Sequence, residues 1–249
     1  MKNFWKPAYL PWAVLAAGAV GLLLRLWLFG AADVSGLLPI WHISEILLWI
    51  LTAAVMLFLL CCTWNLRQAT KYRFNFPASV PGGMGAWLGA LGIGGTCIVE
   101  LLINPDTMTA FTAVLGLIAA ALLVFIGICR RNGRRPSMLF HGFLCIFMMI
   151  RLISQYRHWS ADPQLQDYCF QIIALVCLML SSYQRALFDA NSGKRRPYAF
   201  FNLAAVYFCC LALPGWENTA FFLGCGVWMF ADTCNLTPMN HKETPDAAS

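Results

Sequence analysis

The chain has 249 residues, of which 60% are hydrophobic and only 11% are charged, and its mean hydropathy is +0.66. These values exclude a soluble globular domain and predict an integral membrane protein. The basic residues that give the net charge of +6 lie mostly between apolar segments, where they set the membrane topology. We therefore predict no nucleic-acid partner.

Eight apolar runs have the length of about 17–25 residues that a membrane-spanning helix needs. The first follows Lys2 and Lys6 and is longer than the apolar region of a cleavable signal peptide, so we predict that it is retained. The last two are short enough to form one re-entrant unit instead. The runs cover residues 8–29, 40–64, 84–103, 108–129, 137–158, 166–186, 198–213 and 217–234.

Basic residues occupy alternate connections between these runs. One side of the predicted membrane holds 14 of the 17 Lys and Arg residues and four acidic residues. The other side holds three basic and seven acidic residues. By the positive-inside rule, the side with 14 is cytoplasmic and both termini lie there. The sequence therefore predicts an all-α polytopic integral membrane helix bundle with about eight transmembrane helices, in the plasma or inner membrane of the cell.

The chain has one predicted domain. Residues 1–235 form a single transmembrane domain, because the longest connection, about residues 65–83, is too short to fold independently. The Pro- and Gly-rich stretch 77–83 predicts the end of a helix, followed by a flexible re-entry segment that leads into the third run. Residues 236–249 are predicted to be a flexible cytoplasmic tail.

Two short matches suggest an internal repeat of four spans per half. Arg25 and Arg151 each precede a leucine near the outer ends of the first and fifth runs, and Thr-Ala-Phe opens the fourth and eighth runs at residues 109–111 and 219–221. Halves of four spans cross the membrane in the same direction. Such a 4+4 repeat would be parallel and would share a cavity between its halves.

The third run carries small residues at helical spacing on one face. We interpret this stripe as close packing of two helices, with room for a ligand as the alternative. Glu100 lies one turn further along the same face. The stripe consists of Gly82, Gly85, Gly89, Gly92 and Thr96.

Four charged residues lie inside predicted spans, where an ionised side chain costs at least ~2.5–3.5 kcal/mol to insert. Glu45 and Arg151 lie roughly 8–10 Å inside their helix ends, whereas Arg25 and Glu100 are nearer to theirs. All four fall in the outer half of the membrane on different helices, with two charges of each sign. We therefore predict that arginine pairs with glutamate in the bundle interior.

Polar residues accompany these charges at the same level. Gln155 follows Arg151 by one helical turn, and the sixth run contributes Gln171. Together they predict an outward-facing polar cavity, and the acidic outer rim favours a cationic or zwitterionic solute. The predicted ligand-binding residues are Arg25, Glu45, Glu100, Arg151, Gln155 and Gln171.

Three classes of function remain open from the sequence. The leading hypothesis is a protein that binds or transports a small polar solute through this cavity. The alternative is a non-catalytic scaffold, sensor or complex subunit, with structural ion pairs and basic loops that dock a cytoplasmic protein. The third is an intramembrane enzyme acting on lipid, which would need a cavity open sideways to the bilayer.

We predict no cofactor, no metal site and no catalytic residues. The HExxH, GxSxG and Walker sequences are absent, and the eleven cysteines lie in apolar runs without CxxC spacing, so they read as small hydrophobic side chains. A metal site near the outer surface, formed by His42, His158 and Asp162, is the less favoured alternative. The expected partners are membrane lipids and, for the scaffold alternative, a cytoplasmic protein.

Overall fold

The computed structural model of the protein describes residues 9–31, 42–64, 66, 70–103, 106–159, 168–214 and 218–236. Within these residues the chain forms eight long α-helices and one short helix, with no β-strand. The helices are α1 (Leu10–Gly30), α2 (Ile43–Trp64), α3 (Tyr72–Asn75), α4 (Val80–Ile103), α5 (Thr107–Arg131), α6 (Met138–Trp159), α7 (Cys169–Asp189), α8 (Arg195–Ala212) and α9 (Thr219–Cys234).

The eight long helices coincide with the eight predicted runs, which confirms the all-α polytopic bundle. Six of them, α1, α2 and α4 to α7, are long and apolar enough to cross a membrane. Helix α9 is apolar but has 16 residues, and α8 has 18 residues with Arg195, Arg196 and Asn202 among them. The last two runs are therefore separate helices, packed against each other.

Helices α4 to α9 form a closed ring, in which each helix packs against the next and α9 returns to α4. Successive helices run in opposite directions. We call the end that holds the C-termini of α5, α7 and α9 the inner end, because the predicted topology places it at the cytoplasm, and the opposite end the outer end. Helices α1 and α2 lie outside the ring, against α8.

Helix α8 is enclosed by protein, because α7, α9, α1 and α2 all pack against it. Its buried residues are distributed around the whole helix and include Asn202 and Tyr207. Helices α1 and α2, in contrast, expose large apolar side chains such as Leu23 and Leu57, as expected of a surface in contact with lipid. A helix without a lipid-facing surface can carry polar residues, which accounts for the low hydropathy of α8.

The glycine stripe of α4 packs against α9. A Cβ added to Gly92 would lie 2.6 Å from the carbonyl oxygen of Ala220 and 2.8 Å from the Cα of Gly224, so the two backbones are in contact there. At Gly89, an added Cβ would lie 2.9 Å from the Cβ of Trp228. The interpretation of the stripe as close helix packing is confirmed.

We expect Gly92→Ala to destabilise the protein by about 1–3 kcal/mol, because the added methyl group must push α9 away from α4. Gly95→Ala is the matched control on the same helix, since nothing lies within 4 Å of its added Cβ. It should be neutral or slightly stabilising, because alanine favours helix over glycine. Thermal unfolding in detergent, followed by circular dichroism, compares the two variants. Equal melting temperatures would contradict the close contact.

The start of α4 differs from the sequence prediction. The helix begins at Val80, because the Ser79 hydroxyl accepts a hydrogen bond from the Gly82 N–H at 3.1 Å and Pro81 is tolerated in a first turn. The prediction of a flexible re-entry was wrong for residues 80–83, which are helical, whereas residues 77–79 lie outside a helix as predicted. Proline and glycine, which normally interrupt helices, here lie in the first turn.

The short helix α3 closes the inner end of the bundle. Its Tyr72 N–H donates to Asn191 Oδ1 at 3.1 Å, and Asn191 has a left-handed backbone with φ of 57° just after α7. Tyr72 and Phe76 are buried and pack with Phe188 and Tyr198 in an aromatic cluster. This connection, which is too short to fold independently, therefore contributes to a buried aromatic cluster.

Several predictions about the whole chain stay predictions. The single domain over residues 1–235 and the inside position of both termini are among them. The 4+4 repeat is another, and the two halves pack differently: α6 to α9 pack in sequence order, whereas α2 packs on α1 and α8. Of the predicted tail at 236–249, only Leu236 belongs to the described residues, and it is buried in the aromatic cluster at α3.

Candidate functional site

Arg151 of α6 and Glu100 of α4 form a bidentate ion pair at the outer end of the ring. Nη1 donates to Oε2 at 3.2 Å and Nη2 donates to Oε1 at 2.7 Å. The side chain of Arg151 is 2% exposed and that of Glu100 is 19% exposed. The predicted pairing of arginine with glutamate is confirmed for these two residues, whose charged groups contact each other directly.

The side chain of Arg151 crosses the interior of the ring. Helix α6 packs mainly on α5 and α7, and α9 packs mainly on α4 and α8. Nevertheless, Arg151 Nη2 donates to Asn218 Oδ1 at 2.6 Å, and the guanidinium carbon lies 4.3 Å from the ring centroid of Phe221. Asn218 Nδ2 donates in turn to Gln155 Oε1 at 3.5 Å. This group ties three helices together at the outer end.

Arg25 has a structural contact at the end of α8. Its Nη1 donates to the carbonyl oxygen of Leu211, which lies in the last turn of α8, where carbonyls have no partner within the helix. The guanidinium also lies 5.1 Å from the ring centroid of Phe170. A cation at a helix C-terminus is favourable, so Arg25 stabilises the packing of α1 on α8.

The remaining predicted site residues are more dispersed. Glu45 lies half-buried in the first turn of α2, outside the ring. Gln171 of α7 is buried, and its Oε1 has no hydrogen-bond partner among the described residues. The structure thus brings Glu100, Arg151 and Gln155 together, with Asn218 as a member that the sequence did not suggest. The ligand-binding role of all six predicted residues stays a prediction.

A second ion pair lies at the inner end of the ring. Arg130 of α5 donates from Nη2 to Asp232 Oδ1 of α9 at 3.2 Å, and from Nη1 to the carbonyl oxygen of Pro77 at 3.3 Å. The guanidinium carbon lies 4.8 Å from the ring centroid of Phe76. Helix α4 lies between α5 and α9 in the ring, so this pair also joins helices that are not consecutive around it.

His141 of α6 and Asp189 of α7 form a buried pair beside it. Nδ1 of His141 and Oδ2 of Asp189 are 2.5 Å apart, and both side chains are fully buried. Because a carboxylate only accepts, Nδ1 carries the proton. His141 Nε2 and Asp189 Oδ1 have no hydrogen-bond partner within the described part of the chain.

Arg185 of α7 is buried among aromatic rings. Its guanidinium carbon lies 3.4 Å from the ring centroid of Phe76, 5.5 Å from that of Tyr72 and 6.0 Å from that of Tyr198. None of Nε, Nη1 and Nη2 has a hydrogen-bond partner among the described residues. The Tyr198 hydroxyl lies near the guanidinium but outside hydrogen-bonding geometry.

Asn202 of α8 lies one turn beyond Tyr198 and is fully hydrogen-bonded. Its Oδ1 accepts from the Ser181 hydroxyl at 3.1 Å, and its Nδ2 donates to the Met229 carbonyl at 3.2 Å and to Thr233 Oγ1 at 2.8 Å. This amide joins α7, α8 and α9. Side chains from all five helices α5 to α9 therefore contribute to the polar inner end.

The sequence analysis misplaced two of these residues. Arg130 and Arg185 are among the 14 basic residues counted on the predicted cytoplasmic side as topology signals, but the structure buries both, at 1% and 2% exposure. Arg130 lies just past its apolar run, on the turn by which α5 extends it, whereas Arg185 lies at the end of its own run, and both are buried. The only hint in the sequence was Asp232, an acidic residue within the eighth apolar run.

No metal centre is formed by the described residues, since they contain no group of three or more His, Cys, Asp or Glu side chains placed to hold an ion. His42 contacts the Ser44 hydroxyl through Nδ1 at 2.6 Å. The other two members of the candidate set, the His158 side chain and Asp162, lie outside what the structure describes.

Known proteins give no indication of a function for this chain, so a proposal must start from the geometry of the structure. No protein-family model matches the chain, and no curated protein and no solved structure gives a significant match. The chain is a multi-pass helical membrane protein with a buried charged cluster at each end of a six-helix ring.

Proposed function

We propose that the protein is a carrier that binds a small polar solute, cationic or zwitterionic, and moves it across the cell membrane. One observation carries the proposal: charged side chains join helices across the same ring at both ends. Arg151 pairs with Glu100 at the outer end, and Arg130 pairs with Asp232 at the inner end.

Two such closures suit alternating access, in which one end opens while the other stays closed. His141 and Arg151 are ten residues apart on α6, so the clusters are separated by about 15 Å at ~1.5 Å per residue. Water that enters an opened end solvates the separated charges, which lowers the free-energy cost of breaking that pair. The predicted outward-facing cavity belongs to the form in which the Arg151–Glu100 pair has opened.

The class of solute follows from charge. The predicted outer side of the protein carries seven acidic and three basic residues, so it attracts cations and tolerates zwitterions. Arg151 and Gln155 could then contact the anionic part of a zwitterion, because a guanidinium binds carboxylates through two parallel hydrogen bonds. Cationic and zwitterionic probes are accordingly the first to test.

The sharpest test of the carrier changes Gln171 to methionine. Oε1 of Gln171 is buried without a partner, so this substitution of similar volume removes no protein hydrogen bond at that atom. We expect unchanged stability, but a fall in solute uptake of about tenfold, the equivalent of one hydrogen bond of ~1.4 kcal/mol. The measurement is uptake of radiolabelled choline, glycine betaine and alanine into proteoliposomes.

Ile172→Met is the matched control, since Ile172 is the next residue and is half-buried. It should transport like the wild-type protein. A wild-type protein that takes up none of the three probes contradicts the proposed carrier. Uptake that is unchanged in Gln171→Met contradicts the assignment of Gln171 to the solute path.

The second candidate is a membrane scaffold or complex subunit with a cytoplasmic partner. It is favoured by the closed Arg151–Glu100 pair, which has the contacts of a structural ion pair, and by exposed basic residues at the inner end. Purification from native membranes should then bring one soluble protein in fixed ratio, and substitution of the exposed basic residues should release it. Those residues are Arg131, Arg134, Arg135, Lys194 and Arg196.

A further inference from the structure

We propose that the residues around Arg185, at the inner end of the ring, bind a ligand that carries an ammonium group next to an oxyanion. A free amino acid and a phospholipid head group with phosphate and ammonium share this chemistry. The site is distinct from the outer cluster, and its test measures binding, so it does not depend on transport.

Arg185 differs from Arg151 and Arg130, the two buried arginines of the ring that form ion pairs. Arg151 has a carboxylate and an amide as acceptors, and Arg130 has a carboxylate and a backbone carbonyl. Arg185 is equally buried, yet its three nitrogens donate no hydrogen bond to the described protein. Buried polar groups are nearly always paired, and a guanidinium can offer five N–H groups, so this side chain is suited to receive an oxyanion.

An unpartnered acceptor lies close to these donors. Asp189 follows Arg185 by four residues on α7, so the two side chains project from the same face of the helix. His141 holds Oδ2 of Asp189, whereas Oδ1 has no partner among the described residues. Oδ1 can therefore accept a hydrogen bond from an ammonium group while the arginine binds the oxyanion.

The balance of charge favours a ligand with both signs. Arg130 and Arg185 face Asp189 and Asp232, two positive charges against two negative charges. A lone anion or cation would bring uncompensated charge into this buried cluster, where it is poorly solvated. A zwitterion adds no net charge and can satisfy the donors of Arg185 and the acceptor of Asp189 together.

Helix α3 provides the entrance. Tyr72 and Phe76 cover the guanidinium of Arg185 from the side of the α2–α4 connection, and both are buried. A helix of four residues has little stability of its own, so α3 depends on this contact and on the Tyr72 bond to Asn191. We expect α3 to undock for ligand entry and to be held more firmly once the ligand is bound.

Hydrogen–deuterium exchange of the full chain in maltoside micelles tests the site. Millimolar alanine or glycerophosphoethanolamine, a phosphodiester without net charge, should slow exchange several-fold in peptides covering residues 70–79 and 185–194. Acetate and ethylamine, each with a single charge, should have little effect. Protection by alanine identifies a free amino acid as the source, and protection by glycerophosphoethanolamine alone identifies a lipid head group.

Two variants link the protection to Arg185. Arg185→Gln should abolish it, and Arg185→Lys, which keeps the charge but loses the planar fork, should weaken it several-fold. Lys194→Gln is the control, because Lys194 is exposed at the same end. If Arg185→Gln does not fold, Arg185→Lys carries the comparison.

Three results would overturn the proposed site: no protection by either zwitterion, equal protection by acetate, or full protection in the Arg185→Lys variant. The carrier can fail separately. If a zwitterion protects these peptides but no probe is taken up, the site is supported and the carrier is contradicted. If a zwitterion is taken up equally by the wild-type protein and Arg185→Lys but does not protect the peptides, the carrier is supported and the site is contradicted.

Discussion

Glu100→Ala is expected to lower the free energy of unfolding by about 3–5 kcal/mol, because it leaves the Arg151 guanidinium buried without its carboxylate. Arg151 is 2% exposed and lies across the ring interior, so it cannot reach water without disturbing α4 and α9. Val99→Ala is the control, since Val99 precedes Glu100 on α4 and is exposed. It should change stability by well under 1 kcal/mol in detergent.

The double variant Glu100→Leu with Arg151→Met should regain most of the stability lost by Glu100→Leu alone. Replacing both members of a buried ion pair by apolar residues is often neutral or stabilising, whereas removing one member is costly. Urea unfolding of the two single variants and the double variant completes the cycle. Additive losses, with no recovery in the double variant, would show that the pair is not coupled as the structure indicates.

The same double variant separates the two candidate functions. A stable double variant that has lost solute uptake supports the carrier, because only the charges have gone. A stable double variant that still binds its cytoplasmic partner supports the scaffold, in which the pair only holds helices together. Stability alone therefore does not decide the function, and the uptake assay must accompany it.

Arg130→Gln should destabilise the protein by about 3–5 kcal/mol, whereas Arg131→Gln should change stability by less than about 0.5 kcal/mol. Arg130 is buried, pairs with Asp232 and lies over Phe76. Arg131 is exposed at the same helix end. The two arginines are adjacent and chemically identical, so the difference isolates the effect of their tertiary surroundings.

Thermal unfolding in detergent measures this pair of variants. A reporter fused to the C-terminus should show unchanged membrane orientation in both, because many basic residues remain on the inner side. Equal and small losses of stability would mean that Arg130 acts only as a topology determinant. That result would also weaken the inner closure on which the carrier proposal depends.

The helices were largely predictable from the sequence. Runs of about 20 apolar residues have few alternatives to a spanning helix, since backbone groups in lipid must be hydrogen-bonded within the segment. Predicted and observed ends of α2 agree closely, at 40–64 and Ile43–Trp64. The start of α4 at Val80 was missed because proline and glycine in a first helical turn resemble a loop.

The candidate site was predictable only in part. Charges inside an apolar run demand a partner, and this requirement led to the prediction that arginine pairs with glutamate. Which residues pair came from the structure, which joins Arg151 to Glu100. Asn218 was not anticipated, because an asparagine at a run end has no such requirement. Arg185 was not anticipated because basic residues near a run end are ordinarily topology signals. Its burial also depends on α3 and the adjoining Phe76, which belong to a connection distant in the sequence.

Hydropathy and charge along the chain, by themselves, determined that this protein is a bundle of spanning helices and which of its ends is predicted to face the cytoplasm. Both properties depend on how each segment partitions between lipid and water, which is set by local composition. The tertiary structure alone decided that α4 to α9 close into a ring, that α8 is enclosed, and that Arg130 and Arg185 point inward. These depend on contacts between distant segments, for which a single sequence carries no local signal.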